Sequence, residues 1–199
     1  MNNLFLIRGF LFILVGMAIF MRSTPSLAAN LEDTYTRLNP PKLIQPFKLT
    51  DGKNQNFTQT NLQNHWSLMF FGFTRCQYIC PTTMTAVAHA YNLLQKQDHL
   101  VPQVLFISID PSNDTPERVG KYAMSFQPNF IGLTGQEKTI KQLTHELGVL
   151  YMKVKQNNND TIDHSANLFL VNPKGEVAVV FTPPYEPKQL ATVLGQLIR

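Results

Sequence analysis

Cysteine is scarce in this chain: its 199 residues contain two, Cys76 and Cys80, both in the stretch FGFTRCQYICPTTM. A bridge between residues four apart closes a very short loop and stabilises little, so a plain structural staple accounts poorly for the pair. Charge is scarce as well. Only 15% of residues are charged, and the formal net charge of +4 includes Arg8 and Arg22 of the N-terminal segment, which leaves about +2 on the rest. There is no stripe of Arg and Lys with interleaved aromatics, which argues against nucleic acid as a partner. Repeats and low-complexity tracts are absent too, and 44% apolar residues are ordinary for one globular domain.

The N-terminal apolar run is short for a membrane span. Gly9 to Met21 makes about 20 Å of helix, against a hydrocarbon core of roughly 30 Å. A charged start, this apolar run and small residues at Ser26-Leu27-Ala28 match an export signal. If Arg8 snorkels and Leu4 to Ile7 join the run, the same stretch serves as an uncleaved tether. Residues 1–28 are therefore read as a signal peptide or membrane anchor, 29–40 as a polar linker and 41–199 as the domain. Either reading puts the domain outside the cytoplasm, in the periplasm or on the inner membrane facing it. Thiols there tend to be oxidised, and a lone cysteine pair calls for a redox or metal-binding role.

Within the domain, apolar runs alternate with helical patterns. Pro46 to Thr50 and Asn56 to Thr58 flank Asp51-Gly52 as an opening hairpin. Ser67 to Phe73 and Val104 to Ile109 read as buried central strands. Helices are expected over Thr82 to Gln97, after Asp114-Thr115-Pro116-Glu117 with Asp114 as the cap, over Gln136 to Leu147, and over Glu186 to Leu197. Gln156 to Asp163 reads as a loop leading to His164, ahead of strands at Asn167 to Val171 and Glu176 to Phe181. This predicts an α/β fold of thioredoxin-like layout, with a mixed central sheet, flanking helices and an N-terminal hairpin extension. That layout brings the loop holding His164 against the start of the cysteine-bearing helix.

On a helix, residues i and i+4 face the same way, so Cys76 and Cys80 can meet as a disulfide or as two thiolates on one soft metal. Helix-start N–H groups favour the Cys76 thiolate. His164 is the candidate third ligand. Two thiolates and one imidazole suit Cu(I), and with oxidation Cu(II). Zinc prefers a fourth ligand, for which Asp160 and Asp163 are nearby candidates.

Three segments, FGFTRCQYICP, FISIDPSNDTPE and DHSANLFLVNPKGE, in this order and spacing, resemble the Sco/SenC family over roughly residues 41–199. The resemblance implies a thioredoxin-fold, membrane-associated or periplasmic copper protein that helps to assemble the dinuclear copper centre of cytochrome c oxidase. It implies copper ligation by Cys76, Cys80 and His164, a redox-active cysteine pair, and Asp110 as a residue supporting the site. The implied partners are the copper-bearing oxidase subunit and a periplasmic thiol reductase. Gln77 and Asn113 depart from the family's usual Pro and charged residue. The alternative function is a thiol:disulfide reductase that keeps target cysteines reduced, a reading that gives His164 no task. A thiol peroxidase is weaker still, because the Pro- and Thr-containing loop such enzymes need is missing before Cys76, where the chain reads GFTR.

Other polar and soft residues have ordinary readings. His65, His89, His99 and His145 are surface or core histidines, and Met84 fills core space. Tyr78 and Ile79, between the cysteines, are placed to shape partner docking.

Overall fold

A computed structural model describes residues 34–156 and 159–198. The expected export or anchor segment, 1–28, lies outside the described residues. In chain order the elements are β1 (Tyr35–Leu43), β2 (Lys48–Asp51), β3 (Asn56–Thr58), β4 (Ser67–Gly72), α1 (Ile79–Lys96), β5 (Gln103–Ser108) and α2 (Pro116–Phe126). Then follow β6 (Ile131–Thr134), α3 (Glu137–Leu147), β7 (Tyr151–Gln156), β8 (Asn159–His164), β9 (Leu168–Val171), β10 (Glu176–Phe181) and α4 (Pro187–Leu197).

Eight strands make one mixed sheet in the order β1-β10-β9-β4-β5-β6-β2-β3. Its centre is β4, parallel to β5 on one side and antiparallel to β9 on the other. Every residue of β4 is buried, which is why SLMFFG shows no polar alternation. Phe70 and Phe71 are fully buried there, each contributing roughly 1.5–3 kcal/mol by leaving water. Helix α1 packs against α4, and α2 lies on β6, β5 and β2. The α2–β6 approach is close enough to need a glycine: a Cβ at Gly132 would stand 2.0 Å from the carbonyl oxygen of Val119.

The thioredoxin-like α/β expectation is met, and the structure corrects it locally at two points. The polar stretch expected as a linker, 29–40, holds the first six residues of β1, which pairs antiparallel with β10. Mostly exposed, with two prolines, it lacks the apolar alternation of a half-buried strand because it is a sheet edge. The supposed loop before His164 is largely strand as well. β7 and β8 form a separate two-stranded sheet, with Tyr151 opposite His164. The polar run QNNNDTID hides it, since Ile162 is the apolar residue it turns into the core.

Gly132→Ala should destabilise the domain by about 1–3 kcal/mol, because a backbone carbonyl rather than a flexible side chain blocks the new methyl. Urea unfolding measures this, and an unchanged midpoint would contradict the close packing.

Candidate metal centre

Strand β4 ends at Gly72, and the chain then turns through Phe73 to Cys76 before α1 begins. Cys80 lies in the first turn of α1 and is fully buried. Gly72 makes room for it: a Cβ there would meet Cys80 Sγ at 2.7 Å. Cys76 is not on the helix, as i, i+4 spacing had implied, but three residues ahead of it. Its sulfur instead accepts the backbone N–H of Cys80 at 3.4 Å. No side chain caps α1 by hydrogen bond from Tyr78, its N-cap position, so the Cys76 sulfur takes the role an Asp or Ser oxygen usually fills. Pro81, next in the first turn, has no N–H to leave unpaired there.

His164 closes β8 and reaches the same place from a distant part of the chain. Its Nδ1 lies 3.0 Å from the carbonyl oxygen of Ser165. A carbonyl only accepts, so Nδ1 carries the hydrogen and Nε2 keeps its lone pair. That Nε2 stands 3.3 Å from Cys80 Sγ. The ring is held between Phe70 and Phe73, with centroids 6.1 and 5.9 Å away. The turn is tied to the residue just ahead of β7, since Ser165 N–H donates to the Leu150 carbonyl and Leu150 N–H to Ser165 Oγ.

One Cys76 sulfur, one Cys80 sulfur and one His164 nitrogen all lie within 4.8 Å of one another. Two thiolates bound at ~2.3 Å to a trigonal metal sit roughly 4 Å apart, so this donor set fits a soft metal ion without rebuilding the backbone. Metal-free, the pair divides its protons unequally. A hydrogen bond from Cys80, together with the backbone N–H groups at the helix start, lowers the Cys76 thiol to about 4 despite partial burial. The same hydrogen bond with Cys76, together with burial, pushes Cys80 far up. The resting site therefore holds one thiolate, on Cys76, and one proton, on Cys80.

Asp110, expected near the site, is buried and reaches it through Arg75, the neighbour of Cys76: Arg75 Nη2 lies 2.7 Å from Asp110 Oδ2. Asn113 Nδ2 donates to both carboxylate oxygens at 3.0 Å. Asp114 departs from expectation. The cap of α2 is Thr115, whose side chain accepts from Arg118 N–H, while Asp114 is buried and accepts from Thr74 N–H, Thr74 Oγ1 and Ser108 Oγ.

Of the remaining candidates, Met84 is core, and His65, His89, His99 and His145 are exposed. Asp163 is exposed and belongs to no metal-sized cluster among the described residues, and the side chain of Asp160 lies outside them. Tyr78 is 79% exposed and Ile79 45%, beside the sulfurs. Gly72, Phe70, Phe73, Thr74 and Ser165 were not anticipated. Gly72 alone left a trace, as a glycine inside an otherwise bulky buried run.

A thioredoxin-like domain that gathers two cysteine sulfurs and one imidazole in a single pocket belongs to the class of dithiol metal-binding proteins. Comparison with known proteins narrows the class. The SCO1/SenC family model matches residues 36–199. The chain is 35% identical to the SCO2-like protein of Rickettsia felis over 157 residues, 77% of this chain and 76% of that one. It is 37% identical to the mitochondrial SCO2 protein of Saccharomyces cerevisiae over 134 residues, 66% of this chain but only 44% of the yeast protein. Among solved structures, Arabidopsis thaliana ScoI with copper bound is similar at a TM-score of 0.74 with 29% identity, over 77% of this chain and 96% of that one. Yeast Sco1 with copper bound gives 0.71 and 29%, over 79% and 89%. The chain belongs to the SCO1/SenC family.

In reduced, metal-free protein, iodoacetamide should modify one cysteine, Cys76, at a rate nearly flat from about pH 9 down to about pH 5 and falling only near pH 4. An ordinary thiol would slow about tenfold per pH unit below its pKa, and that profile would refute the assigned thiolate.

Proposed function

We propose that this chain is a copper-binding assembly factor that delivers copper to cytochrome c oxidase or prepares its copper site, using Cys76, Cys80 and His164 as ligands. The carrying observation is the convergence of those three donors within 4.8 Å. Two sulfurs and one nitrogen favour copper over zinc, because the nearby acidic candidate Asp163 does not complete a fourth position. Metal ligation requires the Cys80 thiol to lose its proton, so copper uptake releases one proton to water. The partners are the copper-bearing oxidase subunit, which receives the ion, and a periplasmic thiol reductase, which restores the dithiol after oxidation.

A second reading, thiol:disulfide exchange with target cysteines, is favoured by one feature. Cys76 is both partly exposed and held as thiolate, the condition for nucleophilic attack on a disulfide. The two readings separate at His164. Reduced protein should bind one copper per chain with a sulfur-to-copper absorption band, and His164→Ala should lose the band and bind at least tenfold more weakly. Unchanged stoichiometry and affinity in that variant would remove the proposed site and leave the exchange reading.

The location we propose is the periplasm, with the N-terminal apolar run retained as an anchor or cleaved after export. No helix among the described residues is long and apolar enough to cross a membrane. Retained, the anchor gives the domain an orientation. Tyr35 lies in one cross-strand row with Phe181, Leu168 and Phe70, and β1 runs opposite to β4. The chain ahead of Tyr35 thus emerges at the end of the sheet where β4 runs into Cys76. Only twelve residues separate Met21 from Thr34, too few to let that end turn far from the bilayer. In full chain reconstituted into phosphatidylcholine vesicles, brominated lipid should quench a tryptophan introduced by Tyr78→Trp in a Trp66→Phe background. Native Trp66, ahead of β4 at the opposite end, should be unaffected, and stronger quenching of Trp66 would reverse the orientation.

A further inference from the structure

Asp114 is only 1% exposed, and none of the ion pairs among the described residues involves it. Three neutral donors satisfy it instead: Thr74 N–H at 2.9 Å, Thr74 Oγ1 at 2.5 Å and Ser108 Oγ at 2.6 Å. Burying a carboxylate in this way is costly, and the task that sequence assigns to it, capping α2, is performed by Thr115. What Asp114 does is join the end of β5, through Ser108, to a residue two positions ahead of Cys76.

That link falls where the site is otherwise loosest. Cys80 is fixed by α1 and by the wall at Gly72. Cys76 lies outside the helix, and its own backbone N–H makes a single turn bond, 3.2 Å to the carbonyl of Phe73. Two sulfurs in a disulfide stand ~2.05 Å apart, whereas two thiolates on one metal stand roughly 4 Å apart. Passing between these states moves one sulfur by about 2 Å, and the buried, helix-held Cys80 is the less free to do so.

We propose that Asp114 is a positioning residue for the sulfur pair: by gripping Thr74 it holds Cys76 at the separation suited to a shared metal and resists the closer approach of the disulfide. The proposal rests on the redox pairing of Cys76 and Cys80 but not on copper, because it is tested without metal. Oxidation takes two electrons from the Cys76 thiolate and the Cys80 thiol, and the one proton on Cys80, as the sulfur–sulfur bond forms; the second proton needed for two glutathione thiols comes from water. Glutathione disulfide accepts the electrons and both protons and leaves as two glutathione thiols.

The experiment equilibrates metal-free, full-length protein in glutathione redox buffers and reads the dithiol-to-disulfide ratio. Thr74→Val removes the hydroxyl donor but keeps the backbone N–H and the branched shape. It should raise the equilibrium constant for disulfide formation about tenfold, a potential about 30 mV more negative. Asp114→Asn should move it in the same direction, since a neutral amide loses the charge that strengthens the grip on Thr74. Thr115→Ala removes the α2 cap while leaving the grip on Thr74 intact, and its potential should match the parent's. Equal shifts in Thr74→Val and Thr115→Ala would mean that the potential follows stability alone, which overturns the proposal. So would an unshifted or less negative potential in Thr74→Val, or failure of the parent to form the disulfide at all.

Discussion

The contact on which this site depends is the 3.3 Å approach of His164 Nε2 to Cys80 Sγ, which joins residues 84 positions apart. No single element could supply it. β4 carries the chain to the cysteine turn, and the β7–β8 hairpin carries His164 back over the end of that strand. Phe70 and Phe73, both belonging to the β4 exit, set the plane of the imidazole. A change that moved the end of β4 would therefore displace the sulfurs and the ring's support together. The site and the core share one piece of backbone, so the precision of the one is inherited from the packing of the other.

The three donors differ in how firmly they are held. Cys80 is enclosed and immobile, His164 is oriented by a backbone carbonyl and an aromatic cleft, and Cys76 is placed by a turn that two buried carboxylates secure through Thr74 and Arg75. The gradient suits the two states proposed for the pair. A helix that carried both sulfurs would fix their separation, and one state would be strained. Keeping one sulfur on the helix and the other on a tethered turn leaves both geometries within reach, with the tether deciding the balance.

The fold was legible in the sequence wherever burial left an apolar signature. SLMFFGF and VLFISI read as central strands, and their order with the helices and closing hairpin implied a thioredoxin-like layout. The meeting of Cys76, Cys80 and His164 was also legible, because they lie in two of the three segments whose combination resembles the family. What stayed hidden was decided by tertiary pairing. β1 gives no alternation because it is an exposed edge, and β8 none because it is a polar hairpin strand. Asp114 illustrates a subtler failure. Asp-Thr-Pro-Glu is a capping pattern at either of its first two residues, and only the position of Thr74, forty residues upstream, turns Asp114 inward and leaves the cap to Thr115.

Exposure at the site follows the same division. Cys80 is closed to solvent, so an incoming ligand or thiol meets Cys76 or His164 first. A metal held by all three donors would be open to exchange at Cys76 and His164 and shielded at Cys80. Under the proposed function, tight retention and transfer to another protein would be compatible in one pocket, because burial is distributed unevenly among the three donors.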